Sequence, residues 1–236
     1  MGRLIMANDK KDAASYFKKA KKLKRACKIG VSGPAGSGKT MSSLFIASGL
    51  VGGDWSKIVV IDTEDSAALY SELGDFSVLN INKPYDPKKF KKAIELANEA
   101  GFEAIVLDSA SHEWEGCLEL HSNLGGRFMD WAIVTPLHNE FLQSIKDSKA
   151  HVISCVRKKT DYSMTNEGGR TKVEKVGLKE IQRDGVEYEF DIFFDINIHH
   201  MAQTSKDRTG LFMDRTPFLI TKATGDELSA WANKGE

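Results

Sequence analysis

Eight consecutive residues carry the clearest chemistry in this sequence, because their glycine spacing and their last two side chains suit a phosphate group. They are Gly33, Pro34, Ala35, Gly36, Ser37, Gly38, Lys39 and Thr40, and Met41 follows them. Glycines let successive backbone N–H groups turn toward phosphate oxygens, and a following helix directs its positive end to the same anion. Lys39 can neutralise the β- and γ-phosphates, and the Thr40 hydroxyl can hold Mg²⁺. We assign all nine residues to a predicted site for ATP with Mg²⁺.

A second group for the metal ion is predicted at the end of an apolar run further along the chain. The run Ala104–Asp108 has the composition of a buried strand, and its last residue is a carboxylate. An apolar run that ends in aspartate is common, but here it follows a phosphate-binding segment. Asp108 is therefore predicted to orient the water shell of the Mg²⁺ ion that Thr40 holds.

The elements that must position these groups alternate between strands and helices. Short apolar runs predict strands over residues 28–32, 57–62, 78–81, 104–108 and 151–156. Helical patterns are predicted between them, over residues 39–50, 66–73, 87–100 and 130–148. The alternation predicts an α/β fold with a mainly parallel central sheet flanked by helices. Two strands over 188–199 and 201–204, a turn at 208–210 and a helix over 225–233 predict an antiparallel C-terminal extension.

The second strand resembles that of the RecA recombinase family. The segment Val59-Val60-Ile61-Asp62-Thr63-Glu64 has the family's order of apolar strand, aspartate, small residue and glutamate, and Asp108-Ser109 is similar to its metal-binding strand end. The resemblance spans roughly residues 28–211 and implies a RecA-like P-loop NTPase fold. Residues 176–178 and 182–190 are similar to compact RecA-like ATPases of phages and prophages, which include single-strand annealing proteins of the Sak type.

The resemblance implies roles for four further side chains. Glu64 is expected past a strand beside the phosphate-binding strand, where it orients and deprotonates the attacking water, although a helix-capping role stays open. Arg157 stands where the family has a polar γ-phosphate sensor that is often glutamine, so we assign it to the nucleotide site. Lys206 and Arg208 are similar to a Lys-x-Arg pair that reaches into a neighbouring subunit's ATP site and stabilises the transferring phosphoryl group. A solvated basic turn would have the same composition.

Two segments correspond to the recombinase loops that face DNA. The first, about residues 111–129, mixes basic, aromatic and acidic side chains. The second, about residues 158–175, lies in the stretch of residues 157–177, which is basic and aperiodic and therefore predicts a long loop. Its candidate DNA contacts are Lys158, Lys159, Tyr162, Arg170, Lys172 and Lys175. Basic side chains can follow a phosphate backbone and an aromatic ring can stack on a base, but a merely solvated loop is the alternative.

The first 27 residues form a separate basic segment before an ATPase core of residues 28–236. Lysines and arginines between residues 10 and 25 alternate with apolar residues at helical spacing, which predicts an amphipathic helix. Such a helix could bind nucleic acid, pack on a neighbouring subunit or present a solvated face. Residues Phe17-Lys18-Lys19-Ala20 also fit the Phe-x-x-Ala pattern by which eukaryotic-type recombinases polymerise.

Composition limits the partners and the location. The 33 basic residues balance the 33 acidic residues, so nucleic-acid binding must come from local basic patches. Cys27, Cys117 and Cys155 lack metal-ligand spacing and lie among apolar neighbours, which predicts buried free thiols and a cytoplasmic protein. We find no secretory signal and no membrane-spanning run, so no membrane partner is expected. His199 and His200 are expected on opposite faces of a strand, since no cysteine or carboxylate cluster stands at ligand spacing.

These features lead to the hypothesis of an ATP-hydrolysing protein that binds single-stranded DNA and promotes annealing or homologous recombination. It would self-associate into a ring or filament in the cytoplasm of a bacterial host, encoded by a phage or prophage. A single-strand-binding protein would be a further partner. A second hypothesis is a RecA-fold oligomeric motor or switch without annealing activity. A third hypothesis is a P-loop kinase for a small molecule. Against it, the sequence shows no arginine-rich lid pattern between the later strands.

Overall fold

A mainly parallel β-sheet forms the centre of the protein. The computed structural model describes residues 16–167 and 170–235, with only the backbone described for 160–177. The strands are β1 (Lys28–Gly33), β2 (Ile58–Asp62), β3 (Ser77–Asn80), β4 (Ala104–Asp108), β5 (His151–Glu167), β6 (Arg170–Glu180), β7 (Ile192–Ile196), β8 (Met201–Asp207) and β9 (Phe218–Leu219). Their order is β3-β2-β4-β5-β1-β7-β8-β9, with β6 paired to β5, and β8 and β9 add in antiparallel fashion. The predicted α/β fold with an antiparallel C-terminal group is confirmed.

Helices cover both faces of the sheet. They are α1 (Lys39–Leu50), α2 (Pro87–Glu99), α3 (Ser111–Asn123), α4 (Trp131–Asp147) and α5 (Lys222–Ala232). One buried layer joins the sheet to α1 and α5, and the other joins it to α2 and α4. Strands covered on both faces are apolar throughout, which is why these runs are visible in the sequence. Within the described residues, none of the helices combines the length and the apolar character that a membrane span requires.

The termini of α2 illustrate how the local sequence fixes an element. The Asp86 side chain accepts a hydrogen bond from the Lys88 N–H at 2.9 Å, and Pro87 fits the first turn because it has no N–H to satisfy. The helix stops before Gly101, whose φ of 83° suits a residue without a side chain. The helix predicted over residues 87–100 is therefore only one residue longer than α2.

The long loop predicted over residues 157–177 is wrong, because the segment is a β-hairpin. Strand β5 continues past the sheet to Glu167 and pairs with β6 in antiparallel register, from Lys158 opposite Glu180 to Glu167 opposite Arg170. The two strands satisfy each other's backbone groups, so neither needs an apolar face toward the core. The other predicted loop, residues 111–129, is also corrected, because α3 occupies most of it.

The N-terminal prediction is corrected where the structure describes it. Residues 17–27 lie in no helix or strand, and residues 1–15 lie outside the described part of the chain. The segment instead runs along α5, where the Arg25 N–H donates to the Ala232 carbonyl and the Lys22 ammonium lies 4.4 Å from the centre of the Trp231 ring. Arg25 also forms an ion pair of 2.7 Å with the buried Asp191. These contacts attach the segment to the core without helical structure.

Three smaller predictions also change. Residues 67–73 form a 3-10 helix, and the strand predicted over 188–199 is the 3-10 turn Val186–Glu189 followed by the shorter β7. Strand β2 does not lie beside β1, because β4 and β5 lie between them. Sequence order fixes which segments become strands, but packing of the crossover helices decides which strands become neighbours. The three cysteines are buried and free, as predicted.

The contact between α3 and the segment before α2 gives a stability prediction. A Cβ atom at Gly116 would lie 1.6 Å from the Tyr85 carbonyl oxygen, which is backbone and has little room to move. We expect Gly116→Ala to lower the free energy of unfolding by about 1–3 kcal/mol, because over-packing forces the backbone apart. Thermal unfolding should show the loss. Ser122→Ala, at an exposed position of the same helix, is the control, and equal melting temperatures for both variants would contradict the packing argument.

Candidate active site

The turn between β1 and α1 has the geometry of an anion cradle. Gly36 and Gly38 have φ angles of 75° and 87°, which L side chains avoid. A Cβ at Gly33 would lie 2.6 Å from the Ile196 carbonyl oxygen, so the chain passes too close for a side chain. Helix α1 begins at Lys39 with no side-chain cap and no acidic residue in its first turn. Its first N–H groups are therefore available to a bound anion.

The cradle opens onto a cleft of about 470 Å³. The cleft is lined by Ala35, Gly36, Gly38, Lys39, Thr40, Glu64, Ser66, Tyr70, Asp108, Arg157, Lys158 and Ile181. The Thr40 hydroxyl donates to Asp108 Oδ2 at 2.5 Å, and Lys39 Nζ donates to the Pro34 carbonyl oxygen at 2.9 Å. The structure thus brings together Lys39, Thr40, Asp108, Glu64 and Arg157 from four separate segments. Pro34 and Ser37 belong to the same turn and Met41 to the start of α1, but none of the three lines the cleft.

The side chains at the floor of the cleft fit a hard divalent cation. Burial raises the pKa of Asp108 to about 6, the hydrogen bond from Thr40 acts in the opposite direction, and the Glu64 and Asp62 carboxylates raise it further. A hydroxyl and a buried carboxylate are oxygen donors of the kind that Mg²⁺ selects. A cation at this point would favour the ionised carboxylate. Thr40 and Asp108 are the residues that could hold the metal.

The turn after β2 is shaped by Asp62 and leaves Glu64 in the cleft. The Asp62 carboxylate accepts hydrogen bonds from the backbone N–H groups of Glu64, Ser66 and Ala67, at 2.8, 2.8 and 2.7 Å. Asp62 therefore meets the N–H groups at the start of the 3-10 helix that follows. The capping role left open for Glu64 is taken by Asp62. Although β2 is separated from β1 by two strands, all these parallel strands end at the same edge, so Glu64 still lines the cleft.

Arg157 lies on β5 where that strand leaves the sheet, and it holds Glu64. Its Nε is 2.8 Å from Glu64 Oε1, and one of its terminal nitrogens is 3.6 Å from Glu115 Oε1. Its backbone N–H donates to Ser111 Oγ at 2.9 Å. A guanidinium at the mouth of the cleft can donate to a phosphate oxygen instead of a carboxylate oxygen, since both fit its N–H groups.

We predict that Arg157→Gln weakens ATP binding about tenfold or more and leaves ADP binding almost unchanged. The lost contact would be a charge-assisted hydrogen bond of about 1.5–3 kcal/mol to the γ-phosphate, which ADP lacks. Titration of each nucleotide by calorimetry checks this. Equal losses for ATP and ADP would contradict a position beside the γ-phosphate.

Arg208 lies at the opposite end of the sheet from the cradle, and Lys206 lies level with Gly30, three residues before the cradle begins. The Arg208 N–H donates to the Asp191 carbonyl, and the Asp191 N–H donates to the Lys28 carbonyl, so Arg208 is level with the start of β1. The cradle begins five residues later, about 17 Å along the strand. Lys206 Nζ donates to the Glu187 and Tyr188 carbonyls, and Arg208 donates to the Tyr188 carbonyl. Neither cation can reach the cleft of its own chain.

The predicted DNA contacts divide into three groups. The prediction of Lys158 as a DNA contact is corrected, because its side chain is only 8% exposed and forms ion pairs with Glu180 and Asp195. Lys159 is exposed beside it. The side chains of Tyr162, Arg170, Lys172 and Lys175 lie outside the described residues, although their backbone belongs to the β5–β6 hairpin.

His200 contacts the cradle, which the sequence did not indicate. His199 and His200 lie in the turn between β7 and β8 rather than on a strand. The Nδ1 atom of His200 donates to the Ser37 carbonyl oxygen at 3.0 Å, and a Cβ at Gly38 would lie 3.3 Å from the same atom. The only signal would have been the closeness of β7 to β1 in the sheet, which sequence order does not reveal.

The fold and the cleft together define a P-loop ATPase. A family model described as an AAA domain, AAA_24, matches residues 25–218, and the chain belongs to this AAA-type family. The match begins before β1 and ends at β9, so it includes the cradle, Glu64, Asp108, Arg157, Lys206 and Arg208. No curated protein matches the chain in sequence.

Proposed function

We propose that this protein hydrolyses ATP at the cleft beside β1, binds single-stranded DNA and promotes annealing or homologous recombination. The observation that carries the proposal is the path of β5. This strand starts inside the sheet, brings Arg157 into the ATP cleft and continues into the basic β5–β6 hairpin, with a register shift between Asp161 and Tyr162. One strand would thus connect the residue that we assign to the γ-phosphate with the segment that we propose for nucleic acid.

The chemistry at the cleft follows from the positions of its side chains. Lys39 and the N–H groups of the cradle would hold the phosphates, and Thr40 with Asp108 would hold Mg²⁺, which supplies positive charge for phosphoryl transfer. Glu64 would orient the attacking water and accept its proton. The Arg157–Glu64 ion pair keeps this carboxylate in the cleft, and a terminal phosphate that draws Arg157 away would release it for the water.

The ATP site would be completed by a second copy of the chain. Two observations support this. Lys206 and Arg208 hydrogen-bond to the carbonyls of Glu187 and Tyr188 instead of their own cleft, and none of the described residues after Ile181 lines that cleft. In a ring or a filament, a head-to-tail contact brings the far end of one chain to the cleft of the next. The two cations would then stabilise the charge on the transferring phosphoryl group.

DNA binding is proposed for the hairpin. Lys159, Arg170, Lys172 and Lys175 lie on its two strands, and Tyr162 is opposite Lys175 in the register. Cations on such a ribbon can follow the phosphates of a single strand, and an aromatic residue can stack on a base. The similarity to Sak-type annealing proteins favours annealing over a motor or switch without annealing activity. That similarity also suggests a phage or prophage gene, activity in the cytoplasm of a bacterial host, and a single-strand-binding protein as partner.

The proposal is tested by titrating the protein with a labelled single-stranded oligonucleotide at low salt, with and without MgATP. We expect binding, faster phosphate release when DNA is present, and faster pairing of complementary strands. The variant Lys172→Glu/Lys175→Glu should lose DNA binding and keep its DNA-independent turnover. Lys222→Glu, an exposed lysine on α5, is the matched control.

Other outcomes would select the alternatives. Phosphate release without any oligonucleotide binding would contradict the DNA proposal and leave the ATPase assignment intact. Turnover stimulated by DNA without strand pairing would indicate a motor or switch. Transfer of phosphate to an added metabolite instead of water would indicate a small-molecule kinase.

A further inference from the structure

Three buried side chains capable of binding a metal meet behind the sheet, away from the ATP cleft. Glu113 and Cys117 stand one turn apart on α3, and His138 lies on the neighbouring helix α4. Their side chains are 0%, 0% and 1% exposed. The His138 Nδ1 atom lies 3.0 Å from Glu113 Oε2, the Cys117 thiol donates to Glu113 Oε1 at 3.2 Å, and all three ligand atoms lie within 4.8 Å of one another.

The spacing is close to that of a tetrahedral zinc centre. Bond lengths of about 2.0 Å to nitrogen and oxygen and about 2.3 Å to sulfur give ligand separations of about 3.3 Å for N···O and about 3.5 Å for S···O. Glu113 Oε1 lies 3.1 Å from His138 Nδ1 and 3.2 Å from the Cys117 sulfur, so both separations are shorter than required by only a few tenths of an ångström. Insertion of an ion would need small side-chain rotations and no movement of either helix.

The types of the three ligands indicate which metal would fit. A thiolate and an imidazole select borderline-soft ions such as Zn²⁺, whereas Mg²⁺ and Ca²⁺ prefer oxygen alone. The site therefore differs in kind from the oxygen donors Thr40 and Asp108 at the cradle. On binding, the Cys117 sulfur would ligate as a thiolate in place of its hydrogen bond to Glu113, and the thiol proton would leave to solvent.

An unpaired nitrogen and an access route lie beside this cluster. His138 Nε2 is buried and has no hydrogen-bond partner among the described residues, but it faces away from Glu113, so His138 would bind the ion through Nδ1. His138 also lines a cleft of about 220 Å³, together with Arg183, Asp184 and Glu189. This cleft gives an ion a path from solvent to His138, and its two carboxylates pair with Lys179 and Lys146.

We propose that Glu113, Cys117 and His138 bind a zinc-class divalent ion that ties α3 to α4. Three protein ligands leave the fourth position for a water molecule from the adjacent cleft. Because α3 begins only three residues after Asp108, the ion would also hold the helix that leads away from the ATP cleft. The proposal does not depend on the chemistry of that cleft.

The full chain should be stripped with a chelator, incubated with Zn²⁺, passed through a desalting column and assayed for metal. We expect about one ion per chain. With Co²⁺ in place of Zn²⁺, a thiolate-to-metal charge-transfer band and the visible bands of a four-coordinate ion should appear. Cys117→Ser should lose the charge-transfer band and His138→Gln should lose retained metal, whereas Cys27→Ser, another buried free thiol, should keep both.

Two results would overturn the proposal. One is a wild-type chain that retains no metal, and the other is equal retention by Cys117→Ser, which would locate the ion elsewhere. Should the variants fail to fold, the Co²⁺ spectrum of the unaltered protein decides, because a spectrum without a thiolate band contradicts ligation by Cys117. In that case the cluster is a hydrogen-bonded network that joins the two helices.

Discussion

Glu64→Gln is expected to slow ATP turnover by a factor of about 10²–10⁴ while ATP binding stays within a few-fold of the original. The glutamine keeps the shape of the side chain and a contact with Arg157, but it cannot accept a proton from water. Phosphate release under saturating MgATP measures the loss, and a fluorescent ATP analogue measures binding. The expected separation of turnover from binding is the signature of a group that acts on the reacting water.

Glu115→Gln is the matched control for this change. Glu115 also faces Arg157, with a separation of 3.6 Å between their charged groups, but it does not line the cleft. We expect it to keep most of the turnover. If both variants lost turnover equally, the effect would be due to Arg157 losing its partners, and Glu64 would not be the general base.

Lys39→Ala is expected to weaken ATP binding by about 10–100-fold and to lower turnover further. The ammonium group would make charge-assisted hydrogen bonds worth about 1.5–3 kcal/mol in bound ATP, and its loss from the transition state costs about 10²–10³ in rate. In the described structure Lys39 Nζ is held by the Pro34 carbonyl, inside the loop that must surround the phosphates. Titration with ATP and a turnover assay measure the two effects.

The control for Lys39 removes a cation of similar length outside the site. Lys222 lies on α5 and pairs with Asp226 at 2.7 Å, so Lys222→Ala should bind and hydrolyse ATP normally. Unchanged ATP affinity in Lys39→Ala would contradict the assignment of residues 33–40 as the phosphate site.

The phosphate cradle and the adjoining Thr40 were predictable because their residues are neighbours in the sequence. Gly36 and Gly38 adopt positive φ angles that few other residues tolerate, and Lys39 and Thr40 follow at fixed distances along the chain. Asp108 was predictable because β4 is covered on both faces, so its run of apolar residues is unbroken up to the carboxylate.

The hairpin and helix α3 were not predictable from apolar patterns. Strands β5 and β6 satisfy their hydrogen bonds through each other, so beyond Val156 the pair needs no buried apolar stripe. Helix α3 buries His112, Glu113 and Gly116 along with Cys117, and its buried face therefore looks polar in the sequence. In both segments charged residues suggested a loop, but pairing and burial partners from distant parts of the chain gave regular structure.

Contacts that depend on strand order were also beyond the sequence. The separation of β2 from β1 by two strands, the contact of His200 with Ser37 and the meeting of Glu113 with His138 all follow from how helices cross the sheet. The two hydrogen-bonded contacts join residues far apart in the sequence. Glu113 and His138 are 25 positions apart, and Ser37 and His200 are 163 positions apart. Periodicity identifies elements, but it contains no information about such pairs.

We propose that each ATP site is shared by two copies of the chain, and an experiment that mixes two inactive variants tests this arrangement. The Lys39→Ala variant lacks the part of the ATP site that lies in its own cleft. The Arg208→Ala variant should bind ATP without hydrolysing it, because it lacks the part that each chain supplies to its neighbour's site. When equal amounts are mixed under assembling conditions with MgATP and single-stranded DNA, about one interface in four contains both intact halves. We expect turnover at about a quarter of the wild-type value from two proteins that are inactive alone. A mixture as inactive as its components, or full activity of Arg208→Ala by itself, would contradict it.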